Sequence, residues 1–178
     1  MWLSTAYRKA SHGTLAGQEL ADTVNKVIEK AGKTAYPYFE YSAYQLIQTY
    51  VEGLQETGNL SSPGKTAPLE TILDRLEQVD LNQSFYGAKL IAILLESENE
   101  NPVQTMAVGK LLKYADLAAE RNLPSTALSA ARSAQIYSAP GSPQENVATA
   151  KVKVLGQLPE EKLEIIEKKA RSAQPSPA

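Results

Sequence analysis

Residues 101–139, NPVQTMAVGKLLKYADLAAERNLPSTALSAARSAQIYSA, decide the fold class. Asn101 is a suitable helix cap, Pro102 suits the first helical position, and Gln104 stands where a capping-box partner belongs. Apolar residues then recur with helical period at Val103, Met106, Ala107, Leu111, Tyr114, Ala115 and Ala118. The pattern stops near Asn122 and restarts at Pro124 with Ala127, Leu128, Ala131, Ala134 and Ile136, until Pro140-Gly141 ends it. So short a link predicts two antiparallel helices. The ridge Ala127, Ala131, Ala134 is small enough for a facing helix to approach closely.

Leu111, Tyr114, Ala115, Ala118, Ala127, Ala131 and Ala134, closing at Pro140, resemble the small and large spacing of a tetratricopeptide repeat. The resemblance covers one repeat of about 34 residues. Ala115 stands in place of the family's glycine, Ala131 in place of its second-helix aromatic, and Pro140 falls one place late. What the resemblance implies is a hairpin-stacking interaction module.

Outward from this hairpin, the rest of the chain also reads as helix. Leu20, Val24, Val27, Ile28 and Ala31 give a face over 15–31, stopped by Gly32. Pro37 opens a helix to about residue 57, with one stripe through Phe39, Ala43, Leu46, Tyr50 and Leu54 and a second through Tyr41, Tyr44, Ile47 and Val51. So wide an apolar surface predicts a central helix. Thr66 is the expected cap of a short helix over 67–79, with Leu69, Ile72, Leu73, Leu76 and Val79 inward. Asp80 or Ser84 starts the next helix, which runs to about Ser97 and is apolar on more than one face. Ser142-Pro143-Gln144-Glu145 is a capping box opening a helix whose expected inner residues are Val147, Ala150, Val154 and Leu155. Pro159 opens a last helix with the narrow face Leu163, Ile166, Ala170 and the pairs Glu164–Lys168 and Glu167–Arg171. No stretch alternates long enough to build a sheet. The expected fold is therefore all-α, about eight helices in four antiparallel hairpins, as a repeat-like stack or an orthogonal bundle. Residues 1–14 read as an N-terminal arm, 15–173 as a single domain and 174–178 as a flexible tail.

Composition narrows the function. With 178 residues the chain can bury a real core. It has no cysteine, which excludes disulfides, thiolate catalysis and zinc ribbons. No apolar run approaches the roughly 20 residues of a membrane span, and Met1-Trp2-Leu3 followed by Arg8-Lys9 lacks the order of a signal peptide. A soluble protein, cytoplasmic or within a larger particle, is the expectation. The formal net charge of −2 disfavours nucleic acid as the main partner. That charge is uneven: residues 1–35 carry +2, 36–100 carry −7 and 101–178 carry +3. An acidic middle beside basic ends suits complementarity within the fold, self-association head to tail, or a basic partner.

Candidate chemistry is sparse. Gly64-Lys65-Thr66 has the ending of a phosphate-binding loop, but five residues separate Gly58 from Gly64 where four are wanted. Ser11-His12 holds the chain's only histidine, too few for a multi-histidine metal site. Glu96, Glu98 and Glu100 lack the ligand order of a calcium loop. Neither a cofactor nor a metal is implied. Tyr36, Tyr38, Phe39, Tyr41, Tyr44 and Tyr50 concentrate the aromatics. Either they pack a core with hydroxyls reaching outward, or, with Trp2, Tyr36, Tyr38, Tyr41 and Tyr44 outermost, they form a contact surface. No Lys or Arg lies between Lys33 and Lys65 to suit stacked bases. The expected function is a non-enzymatic helical interaction or assembly module. The alternatives are a structural subunit of a large assembly, such as a virion connector or accessory ring protein, and an enzyme using a carboxylate such as Glu40 or Asp116 in a helical pocket.

Overall fold

The computed structural model describes residues 2–33, 37–98, 101–157, 168–169 and 172, with backbone only for 31–33 and 37–41. Among these residues all regular structure is helical. Eight helices follow in order: α1 Trp2–Ser11, α2 Gly17–Lys33, α3 Pro37–Glu56, α4 Pro63–Val79, α5 Leu81–Leu94, α6 Pro102–Glu120, α7 Pro124–Tyr137 and α8 Pro143–Leu155. The chain divides into two compact units, Met1–Ala107 and Val108–Ala178, with the division inside α6. The expected helix from Pro159, its charge pairs and the tail at 174–178 lie outside the described residues, apart from Lys168, Lys169 and Ser172, which are helical.

In the first unit the helices alternate between two layers. Helix α3 packs on α1 and on α5, while α2 packs on α4; α2 against α3 and α4 against α5 join the layers. Residues 2–11, read as an arm, are thus a helix seated on the unit's own α3 through the buried Ala6 and Ala10. Helix α3 is the middle of its layer, burying Ala43, Leu46, Ile47, Tyr50, Val51 and Leu54.

The layers close where side chains are missing. A Cβ on Gly53 of α3 would stand 2.4 Å from the Ala10 carbonyl oxygen of α1. At Gly13 the backbone takes φ +68°, which an L side chain resists. There the Thr14 N–H donates to the Lys9 carbonyl and the Gly13 N–H to that of Ala10, ending α1 on top of α3. Pro68 cannot donate to the Gly64 carbonyl inside α4. Gly17 of α2 packs over that break, its Cβ position only 2.3 Å from Pro68 Cγ. Across α1 and α2, Lys9 donates to Glu19 at 2.9 Å and holds that carboxyl below its ordinary range.

The turns follow local chemistry. Asp80 serves two helices: its N–H donates to Leu76 O at 2.9 Å, and its carboxylate accepts from the Asn82 N–H at 2.9 Å. Asn101 Oδ1 accepts from the Val103 N–H at 2.8 Å and starts α6. Asn122, at φ 55°, ends it, with the Leu123 N–H donating to Ala118 O and the Asn122 N–H to Ala119 O. Ser142 Oγ accepts from the Glu145 N–H at 3.2 Å, while the Glu145 carboxylate accepts from the Gly141 N–H, one residue earlier than the usual box. Helix α4 departs from expectation: it begins at Pro63 with Ser62 as its cap, and Thr66 Oγ1 donates back to Ser62 O inside the first turn. Pro63 at the first helical position starts the helix a turn early.

The second unit is built on small residues. Helix α7 buries Ala127, Leu128, Ala130, Ala131, Ser133 and Ala134 and packs closely on α8. Leu111, Tyr114, Ala115, Ala118, Ala127, Ala131 and Ala134 are each at most 1% exposed. The residues that carry the repeat-like spacing are therefore all buried. Ile136, expected in the same apolar pattern, is 63% exposed. It lies about 160° around α7 from Ala134 and about 180° from Ala127, so the tight alanine face turns it outward.

This packing sets the expected effect of three substitutions. Gly53→Ala should lower stability in urea unfolding by about 1–3 kcal/mol, because its new methyl group meets the α1 backbone. Gly64→Ala, with nothing within 4 Å of the new Cβ, should be neutral or stabilising by up to about 1 kcal/mol. Tyr50 donates its hydroxyl to Lys65 O at 2.6 Å, so Tyr50→Phe should cost about 1 kcal/mol. Burial also pushes the Tyr50 hydroxyl above its ordinary range. Its contribution is then full below the unfolded value near about 10 and is lost as pH rises through the folded value. Tyr50→Phe should flatten that alkaline loss in unfolding curves taken across this range.

Candidate functional site

Most polar groups that suggest chemistry in the sequence are occupied by structure. His12 Nδ1 donates to Arg8 O at 2.8 Å, and Ser11 Oγ donates to the same carbonyl at 2.9 Å. Both side chains are exposed and finish α1. A proton held on Nδ1 toward a carbonyl leaves that nitrogen unable to take one from Ser11. Gly64-Lys65-Thr66 sits in the first turn of α4, and the Lys65 and Thr66 N–H groups both donate to Ser62 O at 3.0 Å. They are turned into the helix and make no anion cradle. Among the described residues no group of three or more acidic or histidine side chains is placed to hold a metal ion. Glu96 and Glu98 are exposed, and Glu100 lies outside the described residues.

The aromatic candidates divide. Tyr36 lies outside the described residues, as do the side chains of Tyr38, Phe39 and Tyr41. Tyr44 is half-buried and donates to Gln83 O at 3.2 Å, tying α3 to α5. Tyr50 is buried and ties α3 to the start of α4. Trp2 is 36% exposed, with the Lys30 ammonium 5.0 Å from its ring centroid. Of the carboxylates, Asp116 is exposed and ion-paired with Lys151, and the Glu40 side chain lies outside the described residues.

What the structure adds is a pair of outward apolar strips, one in each unit. On α5, Tyr86 is 58% exposed, Ile93 43%, and Leu90 between them is half-buried. Spacings of four and seven put all three on one side of the helix. The opposite side is the core face: Ser84, Ala88, Ile91 and Leu95 are buried. The Phe85 and Tyr86 rings meet at 5.3 Å and 51°, and Lys89 Nζ lies 5.8 Å from the Phe85 centroid. Sequence pattern hides this strip because α5 is apolar all round and has no hydrophilic face to mark outside from inside. Val79, expected inward at the end of α4, is 46% exposed. It stands beside the cap Asp80, where the chain leaves the layer.

The second strip corrects the reading of α8. Val147 and Val154, expected inside, are 46% and 66% exposed, and Ala150 is exposed with them. The buried residue is Ala148. The cause is the position of α7, which Thr149 faces by accepting from Gln135 Nε2 at 3.1 Å. Thr149 lies about 160° around α8 from Val147, so the valines turn away from α7. Lys151, about 40° around α8 from Val147, pairs with Asp116 of α6. Beside that pair runs a groove of about 320 Å³, lined by Ala115, Asp116, Ala119, Ala150, Lys151, Val154 and Leu155. No known protein family, characterised protein or solved structure matches this chain.

A double-mutant cycle over Asp116→Ala and Lys151→Ala should give a coupling of only about 0–1 kcal/mol, because both groups reach water. It should shrink further as salt is raised in the same thermal unfolding series.

Proposed function

We propose that the chain is a non-enzymatic helical assembly module that associates with further copies of itself through the α5 strip. The carrying observation is the placement of Tyr86, Leu90 and Ile93 directly opposite the core face of α5. A tyrosine and an isoleucine at helical spacing offer apolar area with one polar handle, the composition of an interface centre. The strip stands in the acidic stretch 36–100, at −7, while 101–178 carries +3. Opposite charge at separate places on one chain favours contacts between unlike surfaces of neighbouring copies. Such heterologous contacts close into rings or continue as filaments. Trp2, partly exposed on α1, is a second candidate anchor for the same assembly.

The charge segregation also supports a second reading, a structural subunit of a large particle such as a connector or accessory ring. That reading differs in the partner and not in the surface. In both, the exposed helix face supplies the apolar area and the charge supplies orientation.

Light scattering across a salt series tests the proposal. The expected result is a mass above the monomer at low salt that falls as salt rises. Ile93→Glu should reduce the protein to a monomer at every salt concentration with its helical circular dichroism intact. A wild-type monomer throughout would sink self-association. An oligomer indifferent to Ile93→Glu would place the contact elsewhere.

A further inference from the structure

We infer that the groove between α6 and α8 in the second unit receives the α5 strip of another copy of this chain, so that copies join head to tail. The inference rests on the assembly reading above and names the surface that the strip meets. Ala115 lies buried at the base of the groove, while Ala119 of α6 and Ala150 and Val154 of α8 are exposed along it. The Lys151–Asp116 pair joins the two helices that wall it. It is thus a concave apolar surface with charged groups at its edge, the form that takes a projecting apolar ridge. The α5 strip is such a ridge, with Tyr86, Leu90 and Ile93 opposite the core face. From Tyr86 to Ile93 is seven residues, and from Val147 to Val154, the outward valines of α8, is seven also. Each run is about 10 Å along a helix.

Charge selects this pairing over its rivals. Residues 1–107 hold thirteen acids and eight bases, net −5, and 108–157 hold six bases and three acids, net +3. Strip on strip would bring two acidic units together, and groove on groove two basic ones. Strip in groove brings unlike charges together. The edges agree with the totals. Glu96 and Glu98 follow the strip and are exposed, and the one base of α5, Lys89, has its ammonium 5.8 Å from the Phe85 ring centroid. At the groove Lys153, next to Val154, and Arg121, two residues past Ala119, are exposed. A dimer joined in this way still has one strip and one groove open. Assembly therefore continues until a ring closes or a filament grows.

Complementary variants of the full chain test the pairing, by light scattering at low salt and high protein concentration. Ile93→Glu spoils the strip and leaves the groove; Val154→Glu spoils the groove and leaves the strip. Each alone is expected at the mass of one chain, 19.3 kDa. Mixed in equal amounts they are expected to double that mass and go no further, because one sound strip meets one sound groove. Ala119→Glu, on the α6 side, should behave as Val154→Glu does, and replaces it if circular dichroism shows the latter misfolded. A mixture that stays at the mass of one chain overturns the inference. Groove variants that keep the wild-type mass with helical dichroism intact overturn it too, but leave self-association through α5 standing, with the strip on another surface. A wild type that is monomeric under these conditions overturns both readings.

Discussion

Helices can share a layer only where the crossing residues let their backbones meet, and this constraint governs both units. In the first unit the contact of α1 with α3 exists because residue 53 has no side chain. The Ala10 carbonyl occupies the space that a Cβ would fill. Gly87 of α5 plays a milder part, with a Cβ position 3.0 Å from a Leu73 methyl group. In the second unit α7 buries Ala127, Ala131 and Ala134, and α8 packs closely on it. Small residues bring little apolar area of their own. They admit the large ones, so that Leu46, Ile47, Leu73 and Tyr114 are fully enclosed.

Close layers also explain how polar side chains are used. Tyr44, Tyr50 and Tyr7 each donate to a backbone carbonyl on a neighbouring element, at Gln83, Lys65 and Ser42. These carbonyls lie at turns or near helix starts, and a tyrosine ring spans the gap between elements while its hydroxyl keeps a partner. The aromatic concentration in 36–50 is, for the two side chains described there, a set of cross-braces. Serine, aspartate and asparagine are likewise spent on caps. A chain that commits its polar residues in this way has apolar and charged surface left with which to meet other molecules. That physical circumstance lies behind the assembly reading.

Electrostatics then decides orientation more than strength. Ion pairs such as Lys9–Glu19 and Lys151–Asp116 are at the surface and contribute little. The segregation of charge along the chain is larger in scale, and its influence falls with salt over about 8–10 Å. An apolar strip supplies affinity, and the charge around it selects which surface arrives.

The all-helical class, the order of α2 to α8 and most of their ends were legible in the sequence, because each rests on neighbours in the chain, whereas α1 read as an arm. Proline at the first turn, an Asn, Asp or Ser cap and a 3.6-residue apolar period act within one or two turns. The burial of the set from Leu111 to Ala134 was legible for the same reason. Tertiary structure alone decided which apolar faces stay outside. Val147 and Val154 read as core until α7 took the other side of α8, and Ile93 lay hidden in a helix with no polar face. It also decided the division of the chain inside α6, where the helical pattern runs on without a break. A period tells that a helix has a preferred side. Which neighbour covers that side depends on residues far away in the chain, and no local pattern carries that information.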